Sequence, residues 1–289
     1  RMVAVRRPLI RGEATAEAVW RPWLARVVGS GVGVGVDGAG VDTGIGSDGG
    51  VGTALHPGTD ASPLAPSGRL VVLAPHPDDE ILACGGLLRR WRRAGEPILL
   101  IAATDGEACH GPLPVRERAR MAIRRRAERR RGLARLLGAP PPRLVALGLP
   151  DGGLDAHSRE LERALDRLVA AGDVMVTTWR ADGHPDHQAC GRAATGHCVA
   201  RGLRLLQAPV WMWHWASPGD ARVPWRRMVA LPLDPATITA KRDALRAHRS
   251  QREPSPHDGR PILGAAIVAR SAEEAQAKAE NAAKKAIIF

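Results

Sequence analysis

Residues 70–80 read LVVLAPHPDDE. The first five are apolar, as in a strand buried on both faces of a parallel sheet, and the last five carry one imidazole and three carboxylates. His76 and Asp79 stand three apart where the strand turns into a helix, with Asp78 between them near the helix N-terminus. Carboxylates at that place can cap a helix and answer its dipole, so this stretch alone does not separate architecture from chemistry.

Outward from it, apolar runs recur at 98–103, 144–149 and 174–178, and helical patterns lie at about 79–94, 115–137 and 158–171. Another helical pattern follows Pro185. Strands alternating with helices predict an α/β fold: a Rossmann-like, mostly parallel sheet flanked by helices, with a smaller C-terminal strand and helix part from residue 205. In that part APVWMWHWA and RRMVALPL read as strands, and a helix is expected from Pro235 to about His248. WMWHW alternates at strand period, which predicts a two-sided buried strand, with a sugar-stacking wall as the other reading.

A second polar turn resembles the first. After VMVTTW comes RADGHPDHQAC, with His184, Asp186 and His187 between a predicted strand and a predicted helix. The C-terminal ends of parallel strands share one edge, so the two loops are expected to converge there. His76, Asp79 and His187 are then three ligands that suit Zn²⁺ and leave a fourth position for water. Asp78, His184 and Asp186 remain as a candidate base, electrophile and orienting carboxylate.

APHPDDE at 74–80 with HPDH at 184–187 resembles the LmbE-like (PIG-L) N-deacetylase family, supported by ATDGE (103–107), LGLPDGGL (147–154) and KRDALRAHRSQ (241–251). The resemblance covers roughly residues 69–265. It implies one Zn²⁺ per chain on His76, Asp79 and His187, a set that also suits another divalent metal such as Fe²⁺. It implies Asp78 as general base, and a protonated His184, held by Asp186, facing the oxyanion. Asp151 in LPDGG would face the substrate. Arg125 and Glu128 fit the family's Arg and Glu ahead of Gly138, with a spacing about one residue long, and would place Arg125 at the substrate. His248 lies at the site edge on this resemblance and packs within a helix on a bare reading. The implied reaction is hydrolysis of an N-acyl, typically N-acetyl, group on an amino sugar or its conjugate. An esterase using the same metal-activated water is the alternative.

The formal charge is +12, with arginines gathered in RERARMAIRRRAERRRGLAR (116–135). That cluster is either a nucleic-acid footprint or a solvated helix face; with no nucleic-acid motif beside it, the solvated face is the expectation. Four cysteines without a CxxC pair predict reduced thiols. No apolar run reaches membrane-spanning length, and a cytoplasmic protein acting on a small molecule, alone or as a homo-oligomer, is expected. Composition divides the chain into an N-terminal arm (1–28), a Gly/Pro-rich linker (29–68), the α/β domain (69–265) and a tail (266–289) that holds three of the four lysines and reads as an Ala/Glu/Lys helix.

Overall fold

The computed structural model describes residues 15, 18–20, 22–23, 64–111, 113–255, 259–264 and 285–288. The expected linker up to residue 63, and the tail over 265–284 and at 289, lie outside the described residues.

The elements follow in the order β1 (Leu70–Ala74), α1 (Asp79–Leu82), α2 (Gly85–Arg93), β2 (Ile98–Thr104), α3 (Val115–Leu137), β3 (Arg143–Leu149), α4 (Ser158–Leu168), β4 (Val174–Thr178), α5 (Pro185–Arg201), β5 (Arg204–Ala208), α6 (Met212–Trp215), β6 (Val229–Pro232), α7 (Pro235–Leu245), α8 (Arg249–Arg252) and β7 (Lys285–Ile288). Five parallel strands form one sheet in the order β3-β2-β1-β4-β5. β1 is central and buried over its whole length, as is β4, which is why both read as unbroken apolar runs. Successive side chains serve opposite faces. Leu70 and Val72 enter a core shared with α2, α3 and α7, while Val71 and Leu73 enter one shared with α4 and α5.

The chain leaves β1 toward β2 and β3, then returns to place β4 on β1's other side. Strand order therefore reverses at β1, and ligands of open α/β sheets bind in the crevice beyond the strand ends at such a point. Arg69 anchors the opposite end, its Nε and Nη2 donating to the two carboxylate oxygens of Asp173 at 3.0 and 2.6 Å.

Three local expectations are corrected. The helix expected over 79–94 is broken at Ala83 and Cys84 into α1 and α2. Met212–Trp215, expected as strand, is the short helix α6; its tryptophans pack with neighbours from three segments, a demand that period-2 patterning does not register. Lys285–Ile288, expected as helix, is a strand antiparallel to β6. At the N-terminal side, residues 18–20 and 22–23 are helical. Trp20 is buried against Trp213, with ring centroids 5.1 Å apart, and near Trp225 at 6.0 Å.

Candidate metal and hydrolytic site

The loops after β1 and β4 meet beyond the sheet edge. His76 lies two residues past β1; its Nδ1 is 3.1 Å from Asp79 Oδ2, and its backbone N–H donates to the same oxygen at 3.0 Å. His187, in the first turn of α5, brings Nε2 to 3.2 Å from Asp79 Oδ2. The ligand atoms of His76, Asp79 and His187 lie within 4.8 Å of one another, as do those of His76, His184 and Asp186. The structure thus brings together the first triad singled out in the sequence and also offers a second, overlapping one.

The local sequence explains the placement. Pro185 occupies the first turn of α5, where its missing N–H costs nothing, and His184 caps that helix, its Nδ1 accepting from the Asp186 backbone N–H at 3.2 Å. Asp78 precedes α1 with φ 126°, a region L-residues rarely occupy, at a cost of about 1–3 kcal/mol. Arg125 holds that loop from α3. Its guanidinium donates to Pro77 O at 2.7 Å and Gly106 O at 3.0 Å, and Nη2 is 3.4 Å from Asp78 Oδ2. Gly106 is required there: φ is +65°, and a Cβ would lie 1.9 Å from Arg125 Nη1.

Charge is distributed unequally between the two neighbouring carboxylates. Burial, opposed by Arg125 and reinforced by Asp79 and Glu80, raises Asp78 to about 7. Burial also acts on Asp79, but His187 and His76 outweigh it and hold that carboxyl well below the usual range. Around His76, burial is likewise outweighed, by Asp151, Asp186 and Asp79, and the imidazole is raised well above its ordinary value. Burial, together with His76 and His187, lowers His184 to about 3.

The placements of Asp186 and Arg125 differ from expectation, and that of His248 follows the packing alternative. Because His184 Nδ1 accepts a hydrogen bond, the neutral ring would carry its proton on Nε2, and burial beside His76 and His187 disfavours the protonated form. The Asp186 carboxylate does not hold His184. It accepts from Gly152 N at 2.7 Å and Leu154 N at 3.1 Å and meets His76 Nε2 at 3.0 Å, so only its backbone N–H reaches His184. Arg125 is buried and turned to backbone carbonyls and Asp78. His248 is fully buried, both ring nitrogens lacking a hydrogen bond among the described residues, where a Cβ on Gly132 would come within 2.7 Å of its Nε2. Asp151, by contrast, reaches the centre: Oδ1 is 3.2 Å from His76 Nε2, and Oδ2 accepts from Ala108 N at 2.7 Å.

Sequence reading missed Asp182. It is fully buried, and its Oδ2 lies 2.8 Å from His187 Nδ1. A carboxylate five residues before a ligand-type His, just past a strand, was the available signal.

The residues fit a divalent cation. Two imidazoles and a carboxylate converge, with Asp151 and Asp186 adding negative charge around His76. Among the described residues, buried His187 Nε2 has the Asp79 carboxylate at 3.2 Å as its polar neighbour, in a contact that falls short of a well-formed hydrogen bond. A buried ring nitrogen and carboxylate set face to face in this way suit a cation that both would ligate.

Residues 71–198 match the family model described as PIG-L: GlcNAc-PI de-N-acetylase. These residues form a PIG-L (LmbE-like) domain. Among solved structures, similar ones include a triple mutant of a deacetylase (Orf2*T) involved in the teicoplanin biosynthetic pathway, at 16% identity over 76% of this chain and 96% of that one, with a TM-score of 0.53. The zinc-inhibited form of teicoplanin deacetylase Orf2 matches at 16% identity over 63% and 84%, with a TM-score of 0.50. The conserved protein TT1542 from Thermus thermophilus matches at 29% identity over 63% and 79%, with a TM-score of 0.47. The likeness to the two deacetylases is one of fold. No curated protein matches the chain.

The PIG-L domain uses much of its arginine helix internally. Arg118 pairs with Glu107 at 3.1 Å, Arg126 with Asp105 at 3.2 Å and Arg124 with Glu128 at 3.1 Å, while Arg125 and Arg129 are buried. Among the described residues, no helix is long and apolar enough to cross a membrane.

Proposed function

We propose that this chain is a zinc-dependent hydrolase that removes an N-acyl group, typically acetyl, from an amino sugar or amino-sugar conjugate, with residues 69–265 as its catalytic unit. The observation that carries the reading is the convergence of His76, Asp78 and Asp79 from the β1 loop with His184 and His187 from the β4 loop, at the point where strand order reverses. The PIG-L match and the deacetylase folds support it.

His76, Asp79 and His187 would hold the ion. A zinc ion bound there supplies Lewis acidity toward a carbonyl oxygen and acidifies water. Asp78, poised at about 7, accepts the proton of the attacking water at its carboxylate and passes it to the departing amine. Neutral His184 offers its Nε2–H to the oxygen on which charge develops. Arg125 keeps Asp78 aimed and limits how far burial raises it. Asp151 contributes a carboxylate oxygen beside His76, suited to a sugar hydroxyl. The products are a free amine and a small carboxylate.

The test is release of free amine from a panel of N-acetylglucosaminides by the zinc-loaded protein, with and without chelator, beside matched O-acetyl substrates. Amine release abolished by chelation is expected. Turnover of O-acetyl substrates alone would replace the amidase reading with an esterase one.

A further inference from the structure

Asp182 joins two parts of the molecule through one carboxylate. Its Oδ2 accepts from the Trp211 backbone N–H at 3.0 Å and faces His187 Nδ1 at 2.8 Å. Its Oδ1 accepts from the N–H groups of Val210 at 2.9 Å and Met212 at 3.0 Å. A carboxylate that already accepts three amide protons has no proton to give, so His187 Nδ1 must be the donor in the fourth contact. The neutral ring then carries its proton on Nδ1 and presents a bare Nε2 to Asp79 and His76. The same carboxylate pins the turn that starts α6. There the Trp211 ring stacks over His184 at 6.5 Å with an interplanar angle of 25°, and Trp215 Nε1 donates to Asp182 O at 2.8 Å.

We propose that Asp182 is a positioning residue of the metal centre, fixing the tautomer and direction of the His187 ring while fastening that ring to the Trp211 turn. The proposal rests on the reading of His187 as a ligand. With zinc on Nε2 the neutral ring must keep its proton on Nδ1, and only an acceptor at Asp182 Oδ2 satisfies it. In Asp182→Asn, with the amide oxygen kept toward Val210 and Met212, an NH₂ group faces that N–H instead. Asp182→Ala leaves no acceptor in any orientation. Partners that orient a metal-bound imidazole in this way are worth about 10–100-fold in metal affinity.

The experiment measures the Zn²⁺ dissociation constant by competition with a chromophoric chelator, for wild type, Asp182→Asn, Asp182→Ala and His187→Gln, with far-UV circular dichroism reporting folding of each. Weakening of about 10–100-fold in folded Asp182 variants is expected. A purely structural role would lower thermal stability and leave the zinc constant alone, so a folded Asp182→Ala chain binding within twofold of wild type overturns the proposal while leaving the ligand reading intact. Undiminished zinc in His187→Gln overturns the ligand reading, and the proposal with it. Should neither Asp182 variant fold, ring-nitrogen NMR of the zinc-loaded wild type decides. A slowly exchanging Nδ1–H on His187 supports the role, and a ring without one overturns it.

Discussion

Asp78 and Asp79 are neighbours in sequence and opposite in environment. Asp79 is drawn to the charged form by two histidines, whereas burial holds Asp78 near neutrality beside a single guanidinium. Asp79→Ala should therefore lose zinc and turnover together. Asp78→Asn should keep zinc and lose about 10²–10⁴-fold in turnover, as removal of a general base typically does. Metal analysis beside steady-state rates checks both, and Asp78→Asn turning over within a few-fold of wild type would exclude the base assignment. Away from the site, Lys241 is buried with Nζ donating to Leu82 O at 3.0 Å, and burial lowers its ammonium from 10.5 to about 8. Between those values the unfolded chain holds a proton that the folded chain has released, so this group's contribution to stability rises with pH across that window. The full swing is about 3 kcal/mol. Lys241→Met should lack it, so the difference between the two urea-stability profiles isolates the lysine from the buried thiols, which titrate in the opposite sense; parallel profiles would show that the amine is solvated.

The elements that position the site were legible because strands buried on both faces announce themselves as apolar runs. β1 and β4 match their expected bounds, and so does α3. The site was legible where chemistry sits next to such a run, as in HPDDE and HPDH. It was illegible where a contact depends on distant backbone. Nothing near Asp186 in sequence shows that Gly152 and Leu154 will claim its carboxylate. Nor does the run WMWHW reveal that its backbone N–H groups turn inward to Asp182. Close helix–loop approach is a further case. A Cβ on Gly191 of α5 would come within 2.6 Å of both the Cα and the N of Arg180, backbone atoms that cannot swing aside. Gly191→Ala should push α5 from the segment leading to Asp182, costing about 1–3 kcal/mol as overpacking does. A urea midpoint unchanged from wild type would show that the loop yields freely.

At the scale of the molecule, the N-terminal side and the C-terminal part share an aromatic cluster. Thr15 Oγ1 donates to Ala216 O at 2.8 Å, and Trp20 is 1% exposed among Trp23, Trp213 and Trp225. Trp20→Ala should cost about 3–5 kcal/mol, the usual penalty for emptying a buried tryptophan site, so a chain starting near Pro66 should be less stable than the full one even if its zinc content is intact. Equal denaturation midpoints for the two chains would show that the cluster contributes nothing. The strand order has a kinetic consequence as well. β1 meets β4 through contacts between residues 104 apart, such as Thr177 Oγ1 to Leu73 O at 2.9 Å, and the two halves of the proposed centre lie just past the ends of these two strands. Pairing so distant in the chain is slow to form and comes after local structure. A ligand that needs both halves cannot bind before that closure, so it steadies the native state without helping the chain reach the barrier. Zinc should accordingly slow unfolding and leave the refolding rate as it is in chelator, which makes the ion a latch on the finished sheet.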